Sequence, residues 1–293
     1  MAGTRYKHDP EYATDERLAL RIRTHQRYTQ PQVDWAEWVL AHVAAFRPKG
    51  RPLLVLDVGC GSGLYLEPVC DRLTSDDHLW SLDLSLGMLR DLASRSLPEN
   101  VTLVNADVLS LPLPDACYDV VLANHMLYEI EPIDRALVEI KRVLRPGGCL
   151  VAATNSRHSM QAFFSEMMAA SRALGYAIEI PPAPAQTRFT LENGRSWLAP
   201  HFPRLERHVL KSCLVFPIAN LAANLAANLA AKPAVAYVNS LQNAYGPQLP
   251  QGLSWEALIK QVASQIAAKI AMQGEYRVPK TVGAFVAFKG SAV

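Results

Sequence analysis

The sequence has 293 residues, and half of them are hydrophobic, which is enough to bury a large core in one domain with or without an insertion. Its net charge of +2 argues against a nucleic-acid-binding protein, because such proteins carry a clustered basic face. The five cysteines are scattered without a Cys-x-x-Cys pair, which argues against a disulfide framework or a zinc site. The charged N-terminal stretch is not a signal peptide, so we expect a cytoplasmic protein.

The first predicted elements are two helices between about Asp15 and Ala45, broken near Pro31. Because they precede the first strand, we expect them not to belong to the alternating core of the sheet. We predict that residues 1–45 form a helical lid over a ligand cleft. Tyr28 lies at the break, where it is either part of a solvated helix end or a contact to cofactor or substrate.

The segment Leu53–Asp83 predicts a site for a ligand that contains a nucleoside. The apolar run Leu53–Leu56 is typical of a strand buried on both faces of a parallel sheet. Asp57 ends this run, and glycines that permit a sharp turn and close ligand approach follow it. These glycines are Gly59, Gly61 and Gly63. A second strand ends at Asp83, about 20 residues past the glycines, where an acidic residue binds ribose hydroxyls.

Strands and helices continue to alternate as far as residue 155, which predicts an α/β fold. Further strands are predicted over 100–105, 118–124 and 149–154, and helices over 64–72, 85–93 and 134–144. The turn Pro146-Gly147-Gly148 is expected to end the last of these helices. Five strands that alternate with helices favour a doubly wound, mostly parallel sheet.

The C-terminal part has a less regular pattern. It predicts helices over 159–175, 190–198 and 255–272, strands over 205–216 and 282–288, and a rigid proline-rich linker at 181–184. The helices would interrupt a final strand pair. We therefore expect residues 217–275 to form a helical insertion or cap over the site.

An alanine-, asparagine- and leucine-rich repeat lies within that insertion, at Ile218–Lys232. Its composition and its spacing of four predict a helix with the leucines on one face. This helix either packs on its own domain or forms the contact of a homodimer. A membrane span is disfavoured, because Pro217 and three asparagines interrupt the apolar residues.

Four ordered segments carry a resemblance to a known family. They are VLDVGCGSG, SLDLSLGML, NADVLSLPLPDACYDVVLANHMLYEI and ALVEIKRVLRPGGCLV. The set resembles the class I S-adenosylmethionine-dependent methyltransferases, type 11 small-molecule branch, over about residues 53–155. A dinucleotide fingerprint would instead place a glycine at Leu64. The resemblance implies a Rossmann-like, mostly parallel seven-stranded sheet that ends in an antiparallel hairpin, within a methyltransferase domain over residues 46–293.

The resemblance also implies which residues of the glycine loop bind S-adenosylmethionine. The backbone at Gly59, Gly61 and Gly63 would lie against the methionine portion, and Asp57 would organise the loop. Asp83 would accept hydrogen bonds from both ribose hydroxyls.

The other residues of the implied cofactor site follow the later strands. Asp107 would receive the adenine amino group, and Val108 would donate its backbone N–H to the ring. Asn124 would line the floor where the methyl group is presented. Met88, at the start of the helix after Asp83, completes the predicted cofactor set.

Candidates for contact with the methyl acceptor directly follow Asn124. His125 is the first candidate for a general base or substrate contact, against the alternative that it only shapes the cleft wall. Glu129 is a second candidate base, although similar family members often carry histidine there. Tyr28 and Tyr128 are candidate substrate contacts, and a role for His158 stays open.

The sequence thus predicts methyl transfer to the oxygen, nitrogen or carbon of a small molecule by in-line displacement. No His-plus-carboxylate set has metal-ligand spacing, so no metal is expected. We expect no nucleic-acid or membrane partner. The near-neutral charge disfavours an RNA or protein methyltransferase, and the glycine spacing disfavours a nicotinamide-dependent reductase. A non-catalytic S-adenosylmethionine-binding protein stays open, because no essential base can be named.

Overall fold

The structure, a computed structural model, describes residues 15–44, 46–180, 187–218 and 223–290. An eight-stranded sheet in the order β1-β7-β8-β6-β5-β2-β3-β4 runs through the described residues. Its strands are β1 (Thr29–Gln30), β2 (Leu54–Val58), β3 (His78–Asp83), β4 (Val101–Asn105), β5 (Tyr118–Leu122), β6 (Leu144–Asn155), β7 (Arg204–Pro217) and β8 (Glu275–Phe288). Strands β2 to β6 are parallel, whereas β8, β7 and β1 add antiparallel pairs at one edge.

Helices cover both faces of this sheet. The described helices are α1 (Asp15–Tyr28), α2 (Trp35–Ala41), α3 (Leu66–Cys70), α4 (Leu86–Ala93), α5 (Ile133–Val143), α6 (Gln161–Ala173), α7 (Gly194–Leu198), α8 (Ala223–Asn239), α9 (Gln242–Tyr245) and α10 (Trp255–Gln273). Alternate residues of β5 enter opposite cores: Val121 packs with α5 residues, and Val120 and Leu122 pack with α2 residues. Burial on both faces explains why the parallel strands read as continuous apolar runs.

A third hydrophobic core lies where α6, α8 and α10 pack on the far half of the β7–β8 hairpin. Phe163 of α6 stacks on Tyr237 of α8, with ring centroids 5.0 Å apart. The hairpin contributes Phe216 and Tyr276, and α10 contributes Leu258 and its apolar neighbours. Since α8 to α10 connect β7 to β8, the predicted interruption of the final strand pair by helices is confirmed.

The expected doubly wound, mostly parallel sheet is confirmed, but it has eight strands where seven were predicted. The lead-in also contributes a short edge strand that was not predicted, because Thr29 and Gln30 pair with Leu214 and Cys213 at the edge of β7. The backbone groups of an edge strand are open to such pairing. The two lead-in helices themselves were predicted correctly as a pair broken near Pro31.

Several predicted boundaries also change. Strand β6 begins at Leu144, so Pro146-Gly147-Gly148 lies inside a strand with a register shift. Helix α5 already ends at Val143, and the turn therefore does not end that helix as predicted. Strand β8 begins at Glu275, where residue 282 was predicted. Helix α3 covers only Leu66–Cys70. The predictions for residues 1–14 of the lid, for the linker at 181–184 and for residues 219–222 of the alanine-rich repeat concern residues outside the described ones.

Two buried carboxylates hold the amino ends of the parallel strands. The glycine loop lies at the other end of these strands, the carboxyl end. Asp77 accepts hydrogen bonds from the backbone N–H of Leu53 and Thr74, both at 2.7 Å, and pairs with Arg47 at 2.8 Å. Asp119 accepts from the backbone N–H of Leu54 at 3.0 Å. This edge is therefore closed by hydrogen bonds, which leaves the carboxyl edge for ligands.

The helices of the described segments include none that is both long enough and apolar enough to cross a membrane. The described part of the alanine-rich repeat forms the start of α8. Ala227, Ala231 and Ala234 of this helix are buried in the third core. The repeat thus contributes to packing within its own chain.

Candidate functional site

The glycine loop folds back over the carboxyl end of β3. The backbone N–H groups of Gly59 and Cys60 both donate to the carbonyl of Leu82, at 2.7 and 3.0 Å. Gly63 then donates to the carbonyl of Cys60 at 2.9 Å, which closes a tight turn before α3. These contacts fix the loop at the carboxyl edge of the sheet, where open α/β sheets bind their ligands.

The three glycines all have left-handed backbones, but they serve different purposes. A Cβ at Gly59 would lie 2.9 Å from Cβ of Met126, and one at Gly63 would lie 2.6 Å from Cδ2 of Leu92. Both positions therefore need glycine for packing within the protein. Gly61 has a φ of +52° and no atom within 4 Å of the Cβ position. At Gly61, bare backbone borders open space that a ligand can fill.

Asp83 fastens the loop at the end of β3. One carboxylate oxygen accepts from the backbone N–H of Gly61 at 2.8 Å, and the other accepts from Ser85 at 2.8 Å. Each oxygen retains a second lone pair, so the carboxylate can also accept two hydroxyl protons of a ribose. Ser85 caps α4, and its hydroxyl receives the N–H of Met88, which is buried at the start of that helix.

Asp57 lies beneath the loop and is only 2% exposed. Burial, together with the nearby charge of Asp83, raises the pKa of the Asp57 carboxyl to about 8. A bound cation would stabilise the ionised form and lower that pKa again. The loop thus has an electrostatic preference for a positively charged ligand.

Asp107 follows β4 and lies near Asp83, because Asp83 and Asn105 are partners in the β3–β4 register. Its carboxylate accepts from the backbone N–H of Leu109 at 2.9 Å. Val108 is buried in the core beside it. The side-chain amide of Asn105 donates to the carbonyl of Asp83 at 3.0 Å and joins the two strand ends.

Asn124 follows β5, on the other side of β2. Its amide oxygen accepts from the backbone N–H of Ala153 at 3.0 Å. Its amide nitrogen is buried and has no hydrogen-bond partner among the described residues. A buried donor without a partner is costly and indicates that a ligand completes it.

His125 comes next and has a left-handed backbone, with a φ of 56°. Its N–H donates to the carbonyl of Ala153 at 2.9 Å, and its ring lies 5.6 Å from that of Trp35 and 6.4 Å from that of Tyr128. Burial, with the positive charge of Lys280, lowers the pKa of His125 to about 4. Glu129 ends the short 3₁₀ helix that follows and is half-buried.

A basic cluster that the sequence did not reveal lies beside His125. The ammonium group of Lys280 donates to Oγ1 of Thr29 at 2.9 Å and to Nδ1 of His25 at 3.2 Å. Nε2 of His25 lies 3.5 Å from the hydroxyl of Tyr237. Its members come from chain segments more than 200 residues apart, so no local sequence pattern could reveal it. Near Lys280, the sequence shows only a lysine just before the last apolar run.

The other two predicted acceptor residues lie outside this cluster. Tyr28 packs its ring on Phe216, at 4.8 Å, as part of the third core. His158 is exposed beyond the end of β6, with its Nδ1 3.3 Å from the side-chain amide of Gln161. Among the described residues, no group of three or more histidine, cysteine, aspartate or glutamate side chains could hold a metal ion.

Comparison with known proteins gives consistent results. A family described as "Methyltransferase domain" matches residues 56–152. The malonyl-[acyl-carrier protein] O-methyltransferase of Pseudescherichia vulneris is 32% identical over 138 residues, which are 47% of this chain and 51% of that protein. The demethylmenaquinone methyltransferase of Symbiobacterium thermophilum is 34% identical over 127 residues, 40% of this chain and 49% of that protein. The chain thus matches about half the length of these curated relatives.

A solved structure extends the similarity in fold beyond the matched region. A proposed type II methyltransferase from Anaeromyxobacter dehalogenans superimposes with a TM-score of 0.56 at 18% identity. The superposition covers 87% of this chain and 97% of that one. At this identity, the likeness supports the fold alone.

A doubly wound sheet with a glycine loop and carboxylates at its carboxyl edge defines a nucleoside-cofactor-binding domain. Within that class, residues 56–152 match a methyltransferase domain and are similar to methyltransferases of other organisms. The residues present fit the cofactor, since Gly61 leaves a cradle that a Cβ would fill and Asn124 offers an unpaired donor.

Proposed function

We propose that this chain transfers a methyl group from S-adenosylmethionine to an oxygen, nitrogen or carbon atom of a small-molecule acceptor. The observation that carries the proposal is the arrangement of Gly61 and Asp83 within a methyltransferase domain. Open backbone at Gly61 would lie against the methionine portion, and the Asp83 carboxylate would accept the ribose hydroxyls. Asp57 would favour the positive charge of the cofactor.

The adenine end of the site would be formed by the segment after β4. Asp107 would accept the adenine amino group, and the backbone N–H of Val108 would donate to the ring. Both residues lie next to the end of β3 that carries Asp83. Met88, buried at the start of α4, would contact the nucleoside from the other side.

The acceptor would lie beyond Asn124, near His125, Tyr128 and Glu129. S-adenosylmethionine supplies an activated methyl group when bound, so the protein mainly orients the reactants and excludes water. His125 is neutral at pH 7 because its pKa is about 4, and so weak a base suits positioning better than proton removal. Glu129 is then the candidate for removing a proton from a hydroxyl acceptor.

We further propose that residues 1–45 and 217–275 cover the acceptor side of the site. Support comes from α1 and α8, whose His25 and Tyr237 both contact the cluster around Lys280. The curated relatives are named for a malonyl group on acyl-carrier protein and for demethylmenaquinone. Those acceptors do not carry over, because these covering segments lie outside the matched residues 56–152.

A screen with isotope-labelled S-adenosylmethionine tests this proposal. The purified chain is incubated with small-molecule, protein and RNA fractions of a cell extract, and the labelled products are identified by mass. We expect label in a small molecule, and less of it at a cofactor concentration that is limiting for the wild type when Asp83→Ala replaces the wild type. Label in the RNA or protein fraction would refute the small-molecule assignment, and cofactor binding without any labelled product would refute the transfer.

A further inference from the structure

Basic groups gather at the carboxyl edge of the sheet on the acceptor side of Asn124. Lys280 lies on β8, two residues before Val282, which is the partner of the last β6 residue, Asn155. This position places Lys280 next to the segment that follows β5. The positive charge of Lys280 therefore contributes to the lowered pKa of His125. His25 joins the group from α1.

The Lys280 ammonium group has neutral partners. It donates to Oγ1 of Thr29 and to Nδ1 of His25, and none of the ion pairs among the described residues includes it. Nδ1 of His25 accepts this proton, so Nε2 carries the ring proton and faces the Tyr237 hydroxyl. Among the described residues, the hydrogen-bonded cluster therefore holds one ammonium group and no carboxylate.

The charges around the cluster are unbalanced. Burial lowers the pKa of His25 to about 3, with Lys280, His125 and Arg21 acting in the same direction. Burial lowers the pKa of Lys280 to about 8, so it is mostly protonated at pH 7, and the Cys213 thiol is the other titratable group that acts on it. Lys280 is half-buried, and a partly buried charge without a counter-ion is stabilised when a ligand supplies one.

We infer that Lys280, His25 and Thr29 form a subsite for a carboxylate of the methyl acceptor, an inference that rests on the proposed function. The single ammonium group carries one positive charge and so matches a monoanion. The half-buried ring of Tyr237 lies against His25, and that of Trp35 lies against His125; both would pack against the body of the acceptor.

Isothermal titration with benzoate, with neutral benzamide as the matched ligand, tests the subsite. The full chain is first saturated with S-adenosylhomocysteine at pH 7. We expect benzoate to bind at least about tenfold more tightly than benzamide, because only benzoate pairs with the ammonium group. Equal binding of the two would overturn the inference. Tighter binding of inorganic phosphate would overturn the carboxylate assignment.

Three lysine variants connect that binding to Lys280. Lys280→Met should weaken benzoate binding about tenfold or more, and Lys280→Arg should retain most of it. The control is Lys269→Met, since Lys269 pairs with Glu166 away from the cluster. Lys280→Met should also leave the melting temperature unchanged or raise it, because it removes an unpaired charge. Unaltered benzoate affinity in Lys280→Met would contradict the subsite.

A measurement on the wild type covers the case in which Lys280→Met does not fold. Mass spectrometry of peptides after brief acetic anhydride treatment gives the acetylation rate of Lys280. Benzoate should slow acetylation of Lys280 but not of Lys269, and equal slowing of both would count against the subsite.

Repeating the titration without S-adenosylhomocysteine separates this inference from the proposed function. Failure of S-adenosylhomocysteine to bind, with benzoate still bound, would refute the proposed function and with it the assignment of the anion to a methyl acceptor. Binding of S-adenosylhomocysteine without any benzoate binding would refute the carboxylate subsite alone.

Discussion

At the scale of single residues, Asp83 combines a structural and a binding role. Its two oxygens accept the backbone N–H groups of Gly61 and Ser85 and thereby hold the loop after β2 against the start of α4. The same carboxylate would accept the ribose hydroxyls of the cofactor. Replacing it should therefore affect affinity more than stability.

Asp83→Ala is expected to weaken S-adenosylmethionine binding about tenfold to a hundredfold, since hydrogen bonds to a charged group contribute about 1.5–3 kcal/mol. The affinity is measured by isothermal titration. Asn105→Ala is the matched control, because the Asn105 amide donates to the carbonyls of Asp83 and Leu84 and does not contact the glycine loop through the Asp83 carboxylate. Asp83→Ala with wild-type affinity would refute the ribose assignment.

His25 and His125 should make stability depend on pH. Both have a folded-state pKa below the value of about 6.5 expected in an unfolded chain. The unfolded chain therefore binds more protons between pH 6.5 and 4. The free energy of unfolding should be highest above pH 6.5 and fall as the pH is lowered towards 4, by on the order of 1 kcal/mol per imidazole.

Urea unfolding at pH 7 and pH 5 measures this effect. His125→Asn should reduce the difference between the two values, and asparagine suits the left-handed backbone at this position. His158→Gln should leave the difference unchanged, because His158 is exposed. An unaltered pH dependence in His125→Asn would contradict the burial of a neutral imidazole.

At the scale of elements, the loop between β2 and α3 assigns separate tasks to its glycines. Gly63 needs to be glycine because Leu92 lies against it, whereas Gly61 borders open space. Both have a left-handed backbone, so alanine strains either position. Only at Gly61 would the added methyl group occupy space predicted for the cofactor.

Gly61→Ala should lower the free energy of unfolding by only about 1 kcal/mol but weaken S-adenosylmethionine binding about tenfold or more. Gly63→Ala should lower it by about 3 kcal/mol, because Leu92 has to move as well. Urea unfolding and isothermal titration of both variants provide the comparison. Wild-type cofactor affinity in Gly61→Ala would contradict the placement of the cofactor.

Local sequence patterns were sufficient for the loop but not for the acceptor side. The buried run before Asp57, the alternate glycines and the acid at Asp83 follow each other closely, so spacing alone predicted their arrangement. The pairing of Thr29 with β7 and the contact of Lys280 with His25 join segments about 185 and 255 residues apart. No local periodicity encodes such contacts, and a lysine inside a strand pattern gives no indication of its partners.

At the scale of the whole molecule, the amino ends and the carboxyl ends of the parallel strands have different functions. The amino ends of the strands are closed by Asp77 and Asp119, whose carboxylates accept the backbone N–H groups of Leu53 and Leu54 at the start of β2. The carboxyl edge carries the glycine loop, Asn124 and the cluster around Lys280. Stability and binding should therefore be separable by mutation.

Asp77→Ala should lower the free energy of unfolding by about 3 kcal/mol, because it leaves the buried N–H of Leu53 without its partner. S-adenosylmethionine affinity should stay as in the wild type. Asp76→Ala, at the exposed neighbouring position, should change stability by less than about 0.5 kcal/mol. A loss of cofactor affinity in folded Asp77→Ala would show that the two edges are coupled.

The central claim is that the carboxyl edge of this sheet binds S-adenosylmethionine, and isothermal titration of the intact protein tests it most directly. The account predicts saturable binding of one cofactor per chain, weakened by Asp83→Ala and unaffected by Asp77→Ala. Absence of binding at about millimolar cofactor (some 4 kcal/mol of binding free energy) by the folded wild-type protein would contradict it.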